Sequence, residues 1–218
     1  APVVDDNGRL LGRITIDDVI DIIREDAEHT MMSMAGLDDE ADTFAPVFKS
    51  TQQRSVWLGI NLITALLAVA VTSLFEGIFE QLAILAVLNS LVPSMGGVAG
   101  NQTLTLVIRA MALGHVGDSN YRALLSKELA IGFVNGLIWA LLIASVVALW
   151  KQDLMLGGVI AFAMLMNMTA AGIAGVAIPV MLKRMNIDPA LAGTVLLTTI
   201  TDVVGIFAFL GTATILLT

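Results

Sequence analysis

Five long apolar segments constrain the fold of this chain more than any other feature of its sequence. Each provides the roughly 20 residues that an α-helix needs to cross the core of a bilayer. We place these segments near Val56–Leu74, Gln81–Ala112, Lys127–Trp150, Gly157–Met181 and Pro189–Leu217. The sequence therefore predicts an all-α membrane protein with five transmembrane helices per chain. The second segment is too long for one straight crossing and contains "VPSMGGVAGNQ", so we expect a helix that is either broken there or tilted, and that runs into a cytoplasmic extension.

Acidic residues are concentrated ahead of the apolar segments. Twelve of the 19 Asp and Glu residues precede Ser55, and the formal net charge is −8. A negative chain of this kind disfavours nucleic acid or anionic lipid as the main partner and favours cations. The sequence therefore predicts an acidic head followed by a body embedded in the lipid bilayer.

Basic residues at the ends of the segments predict the orientation in the membrane. Lys and Arg are enriched in cytoplasmic loops of membrane proteins. Lys151 is the one basic residue on one side of the predicted spans, and seven lie on the other: Lys49, Arg54, Arg109, Arg122, Lys127, Lys183 and Arg184. We therefore expect a cytoplasmic N-terminus and an external C-terminus.

The head reads as a β-hairpin followed by a helix. The stretch "APVVDDNGRLLGRITI" contains two β-rich runs around an Asp-Asn-Gly turn, and Asp17 is the predicted N-cap of the helix that follows. Such a piece is too small to bury a core of its own, so we expect it to belong to a larger domain. We divide the chain into a hairpin (1–16), an acidic helix with its linker (17–54) and a transmembrane domain (55–218).

The predicted helix of the head carries a dense set of carboxylates. Like charges within a few helical turns repel one another. Divalent cations would relieve this repulsion, and a solvated acidic face is the alternative interpretation. The candidate regulatory metal ligands are Asp17, Asp18, Asp21, Glu25, Asp26 and Glu28, and a further acidic run, "DDEAD", follows at 38–42.

Asp202 lies in the middle of the fifth apolar segment and is the first candidate for a functional site. A carboxylate at the centre of a membrane helix costs roughly 2.5–3.5 kcal/mol and requires a compensating partner. Polar and small residues lie on the same helical face as Asp202 and form a stripe along the fifth segment. A second stripe of this kind runs along the second segment. The two stripes contain Thr194, Thr198, Thr201, Gly205 and Thr212 in one, and Asn89, Pro93, Gly97, Gly100 and Asn101 in the other.

Carboxylate, amide and backbone oxygens are ligands that hard cations prefer, and the chain has no cysteine. Mg²⁺ retains several waters when it binds, so one carboxylate suffices for a hydrated ion. A two-fold dimer would bring two copies of Asp202 to a shared axis. The residues alone leave the choice among divalent cations open.

Three further stretches extend this interpretation to a known family. "SMGGVAGNQTLTLVIRAMALG", "SKELAIG" and "IDPALAGTVLLTTITDVVGIFAFLG" resemble, in that order, signatures of the MgtE family of magnesium transporters and channels. The head resembles the end of a cystathionine-β-synthase-type (CBS) regulatory domain. Val98, Thr194 and Val195 depart from residues found in some members of the family.

The resemblance implies a homodimer with a pore between the second and fifth spans, Mg²⁺ as the transported and regulatory ion, and location in a bacterial inner membrane. It implies that Asp202 holds the ion, and that the acidic helix is a plug that closes the pore at high cytosolic Mg²⁺. The pore wall would include Gly96, Gly97, Gly100 and Asn101. We expect the remainder of the CBS pair and an N-terminal helical domain to be missing here, which would weaken sensing and preserve the pore.

Two other classes of protein compete with this interpretation. A membrane aspartyl protease needs two facing carboxylates, whereas Glu128 is expected near a membrane surface. The two histidines fall in polar segments, so we do not expect an enzyme. A proton-coupled carrier of Co²⁺, Mn²⁺ or Ni²⁺ is the closer alternative, because a lone buried Asp can shuttle protons. Carriers often contain paired broken helices, and the sequence shows one glycine-rich candidate without a second copy.

Overall fold

A computed structural model describes residues 1–37, 44–117 and 120–217 of the chain. These residues form two compact units, Ala1–Trp57 and Leu58–Thr218. The acidic run at 38–42 lies outside the described residues.

The first unit begins with the predicted hairpin. Strands β1 (Pro2–Val4) and β2 (Leu10–Arg13) are antiparallel, with Val3 opposite Gly12 and an irregularity between Val3 and Val4. The turn is closed by Asp5, whose Oδ1 accepts hydrogen bonds from the backbone N–H groups of Asn7 and Arg9 at 3.0 and 2.7 Å. Gly8 adopts a φ of 77°, a conformation that glycine reaches without the steric cost of a Cβ.

Helix α1 (Ile16–Met34) follows the hairpin. Its N-cap is Thr15, so the prediction that Asp17 caps the helix is wrong by two residues. Asp18 Oδ2 accepts hydrogen bonds from the backbone N–H of Thr15 at 2.7 Å and from Thr15 Oγ1 at 2.9 Å. These bonds stabilise the ionised carboxylate and hold the pKa of Asp18 below its ordinary value. The local sequence Thr-Ile-Asp-Asp thus fixes where the acidic helix begins.

Both faces of α1 are exposed. Its apolar residues Val19, Ile20, Ile22 and Ile23 are 40–63% exposed. All six candidate regulatory acids are exposed as well. The expectation that the head is part of a larger domain stays a prediction.

Seven further helices complete the described chain. They are α2 (Val47–Ser73), α3 (Glu76–Gln81), α4 (Ala83–Leu88), α5 (Leu91–Ala112), α6 (Tyr121–Lys151), α7 (Leu154–Arg184) and α8 (Pro189–Leu217). Five stretches are long and apolar enough to cross a membrane: α2, α4 together with α5, α6, α7 and α8. The predicted five-span, all-helical body is confirmed.

The second span is interrupted, but at a different place from the predicted one. Helix α5 runs continuously through the glycine-rich segment, and the interruption lies at Asn89 and Ser90, between α4 and α5. Pro93 has no N–H to donate to the carbonyl of Asn89, four residues earlier, so the helical ladder opens there. Of the two predicted possibilities, a break within "VPSMGGVAGNQ" is wrong, because neighbouring helices cover Gly96 and Gly100 and support a regular helix. The tilt stays a prediction.

Helix α7 is the centre of the body. It packs against α5, α6 and α8, and residues such as Val159, Ile160 and Ala171 are fully buried. Small residues permit its close approach to α6: a Cβ added to Gly172 would lie 2.7 Å from the carbonyl oxygen of Glu128, and one added to Gly132 would lie 2.7 Å from that of Met168. The fourth span therefore serves helix packing, as its small residues predict.

Candidate functional site

Asp202 lies half-buried on α8, three residues before the buried Gly205. In the part of the chain that the structure describes, no basic side chain lies within ion-pair distance of its carboxylate, since the ion pair found there joins Arg24 to Glu28. A carboxylate in an apolar helix without a protein cation requires another source of positive charge. Among the described residues, Asp202 is therefore not part of a structural ion pair, and its role as an ion ligand stays a prediction.

The hydroxyl groups near Asp202 are oriented by their own helix. Thr198 Oγ1 donates to the carbonyl oxygen of Thr194 at 2.9 Å. Thr201 Oγ1 lies 3.1 and 3.0 Å from the carbonyl oxygens of Leu197 and Thr198, to either of which it can donate. Donation to the backbone fixes each hydroxyl proton, so the half-buried Thr198 can offer its oxygen lone pairs to a neighbour, whereas Thr201 is fully buried. Lone pairs suit a cation or its waters.

Helix α5 approaches this turn of α8 through its glycines. A Cβ added to Gly97 would lie 3.8 Å from Thr201 Oγ1, which is ordinary contact. The half-buried Asn101 donates from Nδ2 to the carbonyl oxygen of Gly97 at 3.0 Å. A shallow cavity along α5 is lined by Val98, Asn101 and Thr105 among others. The predicted second and fifth spans thus meet, with Gly97 beside the turn that carries Asp202.

The ten residues predicted for the membrane site fall into two groups. Five retain accessible surface: Asn89, Gly97, Asn101, Thr198 and Asp202. The others are buried among the helices of one chain, and these are Pro93, Gly96, Gly100, Thr201 and Gly205. Gly100, for example, faces Leu197, whose Cδ1 would lie 2.8 Å from an added Cβ. The first group lies at a surface, whereas the second holds α5, α7 and α8 together.

Asn167, at the middle of α7, is a polar residue that the sequence interpretation missed. It is fully buried, and its Nδ2 donates to the carbonyl oxygen of Val92 at 2.7 Å. Its amide fills a slot between two glycines, because a Cβ at Gly96 would collide with it and a Cβ at Gly205 would lie 2.9 Å from Nδ2. Asn167 therefore joins α7 to α5 and α8 one turn away from Asp202.

Two amide oxygens at this junction have no partner among the described residues. They are Oδ1 of Asn89 and Oδ1 of Asn167, and both are buried. Buried polar atoms normally have a hydrogen-bond partner. The two unpartnered oxygens are therefore exceptions that require an explanation other than packing. An Asn side chain inside an apolar membrane span costs free energy. Asn167 could therefore have been recognised in the sequence as a polar residue that needs a partner.

Glu128 is a second acid that the helices enclose. It is 6% exposed, and its Oε2 accepts a hydrogen bond from Thr103 Oγ1 at 3.1 Å. Thr103 in turn lies against Gly175 of α7. Glu128 is therefore covered by α5 and α7, and its expected depth near a membrane surface stays a prediction.

The acidic helix presents its carboxylates separately. Arg24 Nε lies 3.6 Å from Glu28 Oε1, and both side chains are well exposed. Among residues 1–37, 44–117 and 120–217, no three His, Asp or Glu side chains converge as a metal site. The six candidate regulatory ligands stay predictions, and any shared ion would need acids from outside this helix.

A body of five apolar helices, each long enough to cross a membrane, places the chain in the class of integral membrane proteins. Comparison with known proteins then identifies the family. A family profile described as "MgtE: Divalent cation transporter" matches residues 89–212, more than half of the chain. The chain belongs to the MgtE family.

Three curated relatives extend the similarity over nearly the whole chain. Each is named "Magnesium transporter MgtE". The protein from Enterococcus faecalis is 34% identical over 212 residues, 97% of this chain and 47% of its own length. Those from Bacillus subtilis and Thermus thermophilus are 32% and 31% identical, over 98% and 99% of this chain and 47% and 48% of their own lengths. The chain spans about half the length of these relatives.

Proposed function

We propose that this chain forms the membrane domain of a Mg²⁺ transporter, in which two copies enclose a pore and Asp202 holds the hydrated ion. The observation that carries the proposal is the uncompensated Asp202 carboxylate at the crossing of α8 with α5. The names of the relatives support Mg²⁺ as the cargo. Entry of a divalent cation would supply the positive charge that the apolar surroundings of Asp202 require.

The donor set suits an ion that keeps its waters. One carboxylate, threonine hydroxyl oxygens and the Asn101 amide are too few for a fully dehydrated Ca²⁺ ion, which takes six to eight oxygen ligands. A hydrated Mg²⁺ can contact the same groups through its water shell. Two protomers related by a two-fold axis would double the carboxylates to two.

The half-buried residues indicate where a second copy would lie. Gly97 and Asn101 of α5, and Thr198 and Asp202 of α8, each retain accessible surface, and Gly97 lies beside Thr201 of α8. An isologous interface across these residues would enclose them in a pore between the protomers. The buried members of the predicted set, such as Gly100 and Gly205, would then support the pore from behind.

A proton-coupled carrier of Co²⁺, Mn²⁺ or Ni²⁺ is the second candidate. In its favour, Asp202 has no basic partner within ion-pair distance among the described residues, and a single carboxylate of this kind can exchange protons. A carrier must also expose its site alternately to the two sides. The contacts between α6 and α7, which are made by glycines against backbone, favour a fixed path over large rearrangement.

Electrical recording with a blocking variant separates the two candidates. In liposomes with Mg²⁺ as the sole permeant cation, a channel gives a current that reverses at the Mg²⁺ equilibrium potential. Gly97→Leu should abolish this current, because the new side chain would project beside Thr201 without removing any charge. Gly158→Leu is the matched control, since Gly158 has no neighbouring atom within 4 Å of an added Cβ.

Two outcomes would contradict the pore. Mg²⁺ uptake coupled to proton movement without a Mg²⁺ current would favour the carrier. A wild-type current in folded Gly97→Leu would remove this surface of α5 from the ion path.

Regulation by Mg²⁺ is the further part of the proposal, with the N-terminus in the cytosol of a bacterial cell. The exposed carboxylates of α1 would share divalent ions with acids of a larger CBS-containing domain, holding the helix at the pore mouth. Removal of the ions would restore repulsion between carboxylates closer than the Debye length of about 8 Å. Mg²⁺ can close the pore in this way only if it binds the closed state more tightly than the open state.

Open probability against cytosolic Mg²⁺ tests the regulation in the full-length protein. Replacing Asp21, Glu25 and Asp26 by their amides should shift inhibition to higher Mg²⁺ and leave the current at low Mg²⁺ unchanged. Glu76→Gln and Glu80→Gln, in exposed positions of α3, serve as controls for the loss of charge. An inhibition curve that does not move would identify α1 as a solvated acidic face.

A further inference from the structure

An apolar groove of about 540 Å³ follows α7 on the surface of the body. Ala174, Ala177 and Met181 of α7 contribute to its wall, and Ile200 of α8 contributes to the other side. The groove ends at Tyr121 and Arg184, so polar atoms are concentrated at one end of it.

A second cavity, of about 230 Å³, continues from that end. Both cavities are lined by Tyr121, Val180 and Arg184, so they adjoin one another. The second cavity adds Lys183 and Gly117 to its wall. The pair therefore forms one site with an apolar part and a basic part.

The length of the apolar part matches one leaflet of a bilayer. Ala170 and Met181 both line it and are 11 residues apart on α7. At 1.5 Å per residue this separation is about 16 Å, close to half of the roughly 30 Å hydrocarbon core. A groove of this length, beginning at the end of a membrane-spanning helix, fits one acyl chain.

Two basic residues, Lys183 and Arg184, line the basic part, and three more lie at helix ends elsewhere in the body. Lys183 and Arg184 lie in the last turn of α7. Arg109 lies in the last turn of α5, and Arg122 and Lys127 lie in the first two turns of α6. Basic pockets between membrane helices are a known environment for anionic lipid headgroups. Charge complementarity thus favours an anionic phospholipid over a zwitterionic one.

We propose that this composite site binds an anionic phospholipid of the bilayer, with the phosphate beside Lys183 and Tyr121 and one acyl chain along α7. The hydroxyl of Tyr121 and the ammonium group of Lys183 are hydrogen-bond donors suited to phosphate oxygens. The site is separate from Asp202 and does not depend on which ion is transported. Its occupant would bridge α6, α7 and α8 at one face of the membrane.

Native mass spectrometry of the full chain in detergent tests the proposal. Phosphatidylglycerol and phosphatidylcholine with identical acyl chains are the two probes. We expect one phosphatidylglycerol retained per chain, bound about fivefold or more tightly than phosphatidylcholine. Lys183→Gln should remove this preference, whereas Lys151→Gln, at the other end of the body, should preserve it. Equal retention of the two lipids by the wild type, or equal loss in the two variants, would overturn the proposal.

Two further measurements separate the lipid from other occupants. Met181→Trp should lower the retention of both lipids, and because Met181 is 50% exposed the variant is expected to fold. Glycerol 3-phosphate, which has the anionic head without acyl chains, should not displace phosphatidylglycerol. Displacement by glycerol 3-phosphate would contradict the lipid assignment and show that the composite site binds free anions. Dissociation of an oligomer by Met181→Trp, with lipid retention unchanged, would assign the groove to a second copy of the chain.

Discussion

Asp202→Asn is expected to abolish Mg²⁺ uptake while the protein remains folded. Asparagine has nearly the same volume as aspartate, so the helix crossing is preserved and only the charge is lost. A pair of unit charges 4 Å apart interacts by about 4 kcal/mol at an effective dielectric constant of 20, and a divalent ion gains more. Since 1.4 kcal/mol is a factor of ten, ion occupancy should fall by about 100-fold or more. Fluorescent Mg²⁺ uptake into proteoliposomes measures the effect.

Glu80→Gln provides the matched control for Asp202→Asn. Glu80 is an exposed carboxylate of the same body, in α3, and neutralising it should leave uptake unchanged. Size-exclusion elution of all variants verifies folding. Wild-type uptake by folded Asp202→Asn would refute the assignment of Asp202 as the ion-binding carboxylate.

Gly205→Ala is expected to destabilise the body through the Asn167 junction. The added methyl group would lie 2.9 Å from Asn167 Nδ2 and 3.1 Å from the backbone nitrogen of Pro93, so either the amide or α5 must move. Overpacking of this kind costs about 1–3 kcal/mol. A melting temperature lower by about 2–4 °C per kcal/mol follows, measured by heating in detergent and size-exclusion chromatography.

Gly211→Ala is the control on the same helix. An added Cβ at Gly211 meets no atom within 4 Å, so the change should be neutral or stabilising by up to about 1 kcal/mol through helix propensity. A Gly205→Ala variant as stable as Gly211→Ala would show that Asn167 is free to leave its slot. The difference in melting temperature between the two variants thus separates the effect of the Asn167 junction from the higher helix propensity of alanine.

Hydrophobic length was sufficient to predict the spans, because each helix has to cover the same bilayer thickness whatever it contacts. The five predicted segments agree with the observed ones, and the last, Pro189–Leu217, has the predicted bounds. The helical period also placed Asp202 and Gly205 on one side of α8. These properties depend on neighbours within one helix, which a sequence displays directly.

Contacts between distant helices could not be read in the same way. Asn167 and Val92 are 75 residues apart, and their hydrogen bond exists because Gly96 and Gly205 leave room for an amide. The position of the break in the second span illustrates the same limit. Glycines favour irregular backbone in isolation, whereas Asn167, Leu197 and Thr103 fill the space around Gly96, Gly100 and Gly175 and stabilise regular helices.

The glycine contacts between α6 and α7 also bear on movement within the body. At Gly132, Gly172 and Gly157 the nearest atom to an added Cβ is a carbonyl oxygen of the facing helix. At these three positions backbone lies against backbone, so no side-chain rotamer is present there to absorb a sliding motion. Helices α6 and α7 should therefore move as one rigid body, so that any gating displacement is carried by elements hinged to that pair rather than by shear within it.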